Sequence, residues 1–269
     1  ATGQLGRLSE YSDERILEAI EQRRHNLATG SAKKEKPDLK NPEWSIFIRH
    51  NPELNNDEFR LRPVEVPQRY KGFIKQVVLV ERMREVTALL GFTRIDSGDE
   101  MADEIDIPTK HAPLSQHSPA WVPANDVRGE GIFIQFDEAR ISEWCNRPSV
   151  VAASEEFLEA HIRWRKARGI EPFDAGFPGM RYVLLHSFSH ALMRQLSLEC
   201  GYAAASIRER IYSQAAKGDL EAMAGILIYT SAPDSEGTLG GLVSLGETDT
   251  LDLHISQALE SMHLCASDP

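Results

Sequence analysis

The chain has 269 residues, 41% hydrophobic and 26% charged, with a formal net charge of −11 and an isoelectric point near 5.3. That length supports a substantial core in one large or two smaller domains. The acidic balance excludes a surface that attracts nucleic acid all round, and leaves room for a local basic patch or for DNA contacts supplied by a partner. The longest apolar runs, around Val77 to Val80 and Ile226 to Tyr229, are strand-length and far short of a bilayer span, so a cytoplasmic protein with no membrane segment is expected. Three cysteines, Cys145, Cys200 and Cys265, lie too far apart to suggest a paired metal or disulfide spacing by themselves.

In chain order, Ser12-Asp13 followed by Ile16, Leu17, Ala19 and Ile20 predicts a capped amphipathic helix, and the Gly30 to Pro37 segment a linker near residues 28–40. Trp44 to Val66 reads as short strands: Ile46, Phe47 and Ile48, then Phe59, Leu61, Val64 and Val66, interrupted by Asn-Pro and Asn-Asn turn signals. Phe73 to Leu90 predicts a strand passing into a helix that carries Glu81, Arg82, Arg84 and Glu85. Acidic residues and then prolines predict a long loop over residues 96–126. A strand at Gly131 to Phe136, a helix at Glu138 to Trp144 and an amphipathic helix at Glu155 to Arg168 follow. A boundary near Phe173 to Gly179 divides an N-terminal α+β region, 1–172, from a C-terminal region, 173–269.

The C-terminal region carries the most information. Tyr182 to Leu196 is a long apolar helix with His186, His190 and Arg194 four residues apart on one face. A second helix is expected next, then a buried strand, Gly225 to Thr230, running into the loop Asp234-Ser235-Glu236-Gly237-Thr238-Leu239-Gly240-Gly241. The fold class is therefore α+β, helix-rich with small mixed sheets and a helix-strand-loop core at the C-terminal end.

Each candidate chemistry has a plainer structural alternative. The spacing of His186 and His190 suits a two-histidine metal site, and with Asp234 it would make a metal-dependent hydrolase or nuclease. Against this, Ser187 stands where hydrolases of that pattern carry a glutamate base, and Arg194 on the next turn would repel a cation. The structural alternative is that the histidines bond the 234–241 loop or buried carbonyls, with Asp234 or Glu236 pairing with Arg194. Glycines at 237, 240 and 241 could present backbone N–H groups to an anion, but no lysine completes a phosphate loop. No Gly-x-x-x-x-Gly-Lys-Ser/Thr segment is present, so no ATPase activity is expected. Arg208, Arg210 and the Arg163 to Arg168 run are candidate nucleic-acid contacts, with solvated charge as the alternative.

The His-Ser-Phe-Ser-His-Ala helix, the Ile-Leu-Ile-Tyr strand, the Asp-Ser-Glu-Gly-Thr-Leu-Gly-Gly loop and the closing Cys265-Ala266-Ser267-Asp268-Pro269 resemble the C-terminal zinc-binding domain of MrfA-type helicases. With Glu81 to Arg94 and Arg128 to Glu138 added, the pattern is similar to the DrmB family of the DISARM anti-phage system. The resemblance implies a structural zinc with Cys265 as its first ligand and the remaining ligands beyond Pro269, in a piece of a longer polypeptide. It makes His186, His190, Arg194, Asp234, Glu236, Gly240 and Gly241 family-motif residues of structural role. It also implies a non-catalytic subunit that binds the DrmA helicase and assists its engagement of DNA.

Overall fold

A computed structural model describes residues 39–89, 91–92, 112–115, 121–199, 206–216, 218, 220–231 and 240–263. The chain divides into two units, Ala1–Pro42 and Glu43–Pro269. In the first, the described residues are 39–42, which enter helix α1 (Lys40–Arg49).

In the second unit, β1 (Arg60–Val64), β2 (Ile74–Ala88), β5 (Ala124–Phe136), β6 (Ile207–Tyr212) and β7 (Gly225–Ser231) form one sheet in the order β1-β2-β5-β7-β6. Every described ladder is antiparallel. Strands β3 (Gly91–Phe92) and β4 (Ala112–Pro113) pair separately. The helices are α2 (Glu138–Cys145), α3 (Pro148–Arg168), α4 (Gly179–Ser197), α5 (Gly241–Leu245) and α6 (Thr248–Ser261). The α+β class expected from the sequence is what forms, and the sheet joins strands from either side of residue 172.

Side-chain alternation divides the core between the sheet's two faces. On one face, Val77, Leu79, Ile132, Ile134, Ile226 and Ile228 meet Leu185, Leu192 and Leu196 of α4 and Leu251 and Ile255 of α6. On the other, Val78, Val80, Phe133, Leu227 and Tyr212 pack with Trp44 and Phe47. The rings of Phe47 and Phe133 stack with centroids 4.9 Å apart, and Trp44 meets Phe133 edge-on at 5.7 Å. Covered on both faces, β2 reads as the continuous apolar run Val77 to Val80, all fully buried. Losing either aromatic anchor would cost about 3–5 kcal/mol.

Three sequence expectations give way to other structure. Ile46, Phe47 and Ile48 lie on α1, where Trp44 and Phe47, three residues apart, are the buried pair. The strand-to-helix passage at Phe73 to Leu90 is one 15-residue strand, β2. Its register shifts between Val80 and Met83, and there the strand alternates, with Arg82 and Arg84 exposed and Glu81 and Glu85 half-buried in ion pairs, so its charges follow period two rather than helical spacing. Between α4 and β7 the described element is the edge strand β6. The expected helix near Ser12, Asp99 to Asp106 in the long loop, Cys200, Asp234, Glu236 and Cys265 lie outside the described residues.

The helix boundaries follow local chemistry. The Asp137 carboxylate caps α2 by accepting from the Arg140 N–H at 3.0 Å. Helix α3 begins with Pro148 in its first turn and stops at Gly169, whose φ of +64° closes the end beside Arg165, Lys166 and Arg168.

Candidate functional site

Helix α4 buries Tyr182, Leu185, Ser189, Leu192 and Leu196 against the sheet. The next position round the helix, His186, falls at the border of that face, and His190 one turn later is half-exposed. The polar stripe therefore marks the wet edge of the helix rather than its buried side, and Arg194 at its end is exposed. Opposite this edge lies β6, whose alternation sends Ile207, Glu209 and Ile211 toward the helices and Arg208, Arg210 and Tyr212 to the other face.

Glu209 is the residue that meets the histidines. Its Oε1 lies 2.5 Å from His186 Nδ1 and 3.3 Å from His190 Nε2. The two imidazoles sit with centroids 4.4 Å apart, and the Tyr182 ring stacks on His186 at 5.3 Å. Burial pushes the Glu209 carboxyl upward, but the hydrogen bond from His186, the Ser189 hydroxyl and both imidazole charges prevail and hold it below the usual carboxylate range. The side chain of Glu209 is only 16% exposed, and its Oε2 is buried without a hydrogen-bond partner. The two histidines and Glu209 form the one group of three potential metal donors found among the described residues, with donor atoms all within 4.8 Å of one another. The histidine pair was legible in the sequence. Glu209 was not, although Ile-Arg-Glu-Arg-Ile has the period-two alternation that places Glu209 with the two isoleucines.

The glycine-rich loop end does present backbone N–H groups to an anion, and the anion is the protein's own Glu130. That fully buried carboxylate accepts from the N–H groups of Gly240 at 2.6 Å, Leu242 at 2.9 Å and Val243 at 3.3 Å. Gly240 takes φ +123°, a conformation open to glycine, and turns these donors toward the strand. Gly241 begins α5 directly after it. Glu130, on central strand β5, thus anchors α5 to the sheet.

The arginines of β6 are engaged on the opposite face. Arg210 forks onto Glu43, with Nε at 2.5 Å and Nη2 at 3.0 Å, and the Tyr212 hydroxyl donates to the same carboxylate at 3.0 Å. Arg208 Nη1 lies 3.3 Å from both oxygens of Glu85, which also accepts from the Tyr229 hydroxyl. Burial, followed by the Glu85 charge, pushes the Tyr229 hydroxyl up to about 12. At the end of α3, Arg165 is buried, while Arg163, Lys166 and Arg168 are exposed, Arg168 lying 4.5 Å over the Trp164 ring.

No helix among the described residues is long and apolar enough to cross a membrane. Residues 188–268 match the family described as the MrfA Zn-binding domain, a description that implies zinc. Within the described residues the donors that fit such an ion are His186, His190 and Glu209. The chain is 36% identical over 233 residues to the DISARM protein DrmB of Bacillus paralicheniformis, an alignment covering 86% of this chain and 40% of that protein. The chain thus carries an MrfA Zn-binding domain and, over most of its length, is similar to a DISARM protein DrmB, of which it spans about two fifths.

Proposed function

We propose that this chain is part of a non-catalytic subunit of a DISARM anti-phage complex, which docks on the DrmA helicase and assists its engagement of DNA. The observation that carries the reading is the 36% identity to DrmB sustained over 233 residues, which extends well beyond the zinc-binding domain. Two surface features support the docking part. An apolar cavity of about 390 Å³ opens between α2, α4 and α6, lined by Phe73, Phe136, Trp144, Leu184, Phe188 and Leu259, a size and character that suit the anchoring side chains of a partner. Phe73 at the rim of this cavity is 57% exposed, with the Arg140 guanidinium 5.8 Å from its ring, and so offers an accessible apolar contact at the mouth.

DNA contact is assigned to a local patch, since the chain as a whole is acidic. Arg163, Lys166 and Arg168 on α3 are the more accessible cations, whereas Arg208 and Arg210 would have to exchange Glu85 and Glu43 for phosphate. Zinc, held by Cys265 and later ligands as the resemblance implies, supplies folding free energy to the C-terminal end. The test is co-purification of the DrmA helicase with the full-length protein that carries this chain, alongside a Phe73→Glu variant. Recovery of the helicase with the parent protein and its loss with the folded variant support the docking surface. Equal recovery with both would move the interface elsewhere, and no recovery with either would remove the reading.

A second reading, metal-dependent hydrolysis, draws on the convergence of the two histidines. Among the described residues the carboxylate that meets them is Glu209, Asp234 lying outside those residues, and Ser187 still occupies the position of the expected base. Divalent-metal-dependent cleavage of a phosphodiester, abolished in His190→Ala, would establish it.

A further inference from the structure

The cluster of His186, His190 and Glu209 shares no residue with the Glu130 anchor, and the zinc ligand implied by the resemblance, Cys265, would bind as a thiolate. We propose that these three side chains form a divalent-cation site of the zinc class, built from nitrogen and oxygen donors and distinct from the thiolate site of the zinc-binding domain. The ion ties helix α4 to the edge strand β6.

Four observations carry the site. Its donors come from a helix and a paired strand, so their positions are fixed by the fold rather than by a loop. A tetrahedral ion with bonds of ~2.1 Å needs donor separations of roughly 3.4 Å. His190 Nε2 and Glu209 Oε1 stand at 3.3 Å, so that pair already matches, and the 2.5 Å contact of His186 Nδ1 with Oε1 need only open by somewhat under about 1 Å. Glu209 Oε2 is buried without a hydrogen-bond partner, a costly state for a carboxylate oxygen that a cation held by both oxygens of the carboxylate would relieve. His190 is 55% exposed, which gives the ion a route in and leaves its fourth position to water.

Neighbouring groups agree with this reading. The Tyr182 ring holds His186 in a fixed orientation by stacking. Arg194, one turn beyond His190, is exposed, so its guanidinium can extend into solvent away from the cluster. When the cation binds, it takes the place of the proton shared by His186 Nδ1 and Glu209, and that proton leaves to solvent.

The test uses the protein stripped of metal and reloaded with Co(II), with bound metal counted by elemental analysis and the spectrum recorded. His190→Ala removes a half-exposed ligand, and Glu209→Gln keeps the shape and the acceptor for His186 while removing the charge. The expected result is one bound equivalent fewer in each variant than in the parent protein. In the parent, weak visible bands of nitrogen and oxygen ligation appear that both variants lack, while thiolate-to-metal charge-transfer bands from any cysteine site persist in all three. Circular dichroism confirms that His190→Ala remains folded. Equal metal content in all three proteins, or a parent spectrum holding thiolate bands alone, would overturn the proposal.

Discussion

Replacing Glu130 with glutamine keeps the shape of a fully buried side chain and removes its charge. The carboxylate accepts three backbone N–H bonds, with Oε2 serving Gly240 and Val243 and Oε1 serving Leu242. A glutamine can place its single carbonyl oxygen at the first position, and its amide N–H₂ then faces the buried Leu242 N–H, donor against donor. An unsatisfied buried N–H costs about 1–3 kcal/mol, and exchanging charged for neutral acceptance at the other two bonds costs roughly 1 kcal/mol more. A total loss of about 2–4 kcal/mol is therefore expected, a large share of the stability of an ordinary domain. Urea unfolding read by tryptophan fluorescence should show the midpoint falling with an unchanged slope, and amide exchange at Leu242 and Val243 should accelerate more than exchange in β2. A change below about 0.5 kcal/mol would refute the view that Glu130 holds α5 to the sheet.

Gly246 closes α5 against the sheet, where a Cβ would stand 2.4 Å from Leu79 Cδ2 and 2.9 Å from Ile132 Cγ1; Gly246→Ala should cost about 1–3 kcal/mol in the same unfolding assay. His254 on α6 is wholly buried with neither ring nitrogen hydrogen-bonded, so His254→Leu should raise neutral-pH stability by about 1–2 kcal/mol. Burial pushes the His254 pKa down despite Glu199, so the unfolded chain binds the proton more tightly; stability should fall as pH drops below about 6.5, and His254→Leu should flatten that decline. The Glu138 carboxyl is pushed up by burial but held lower overall by Arg181 and Ser142, and Glu209 is likewise depressed. Both contribute stability that is present above about pH 4.3 and is lost as pH falls through their lower folded values, so Arg181→Ala should make acid unfolding begin at higher pH.

The most legible elements were those whose local pattern agrees with their burial. Helix α4 carries core residues at helical spacing from Tyr182 to Leu196, and β7 is a bare apolar run because both of its faces are covered. Helix α2 forms where the helix over Glu138 to Trp144 was expected, and the structure adds the Asp137 cap that fixes its start. Misreadings arose where tertiary contacts decide. Ile46-Phe47-Ile48 has strand composition, but Phe133 and Tyr212 give Trp44 and Phe47 a common surface and so favour a helix. The outer half of β2 is stabilised by pairing and by ions such as Arg84 with Asp126 at 2.8 Å, contacts that leave no apolar period to find.

The candidate site was half visible for the same reason. His186 and His190 are neighbours in sequence, whereas their carboxylate arrives from an edge strand 19 residues further on, and charged flanks at Arg208 and Arg210 disguised that strand as a solvated segment. From the sequence, Gly237, Gly240 and Gly241 offered backbone N–H groups to an anion, but the missing lysine argued against a phosphate loop; the structure forms an anion site whose donors are Gly240, Leu242 and Val243. Its occupant, Glu130, comes from the middle of the sheet and could be identified only once the strand order was known.

A subunit that helps a helicase hold DNA should change how the helicase responds to salt. The decisive measurement is DNA affinity across a salt series for the DrmA helicase alone, for the full-length protein that carries this chain, and for the two together. The complex should bind more tightly than the helicase alone, with a steeper dependence of affinity on salt that relaxes when Arg163, Lys166 and Arg168 are exchanged for glutamate. Identical affinities and slopes with and without this protein would contradict the role assigned to it.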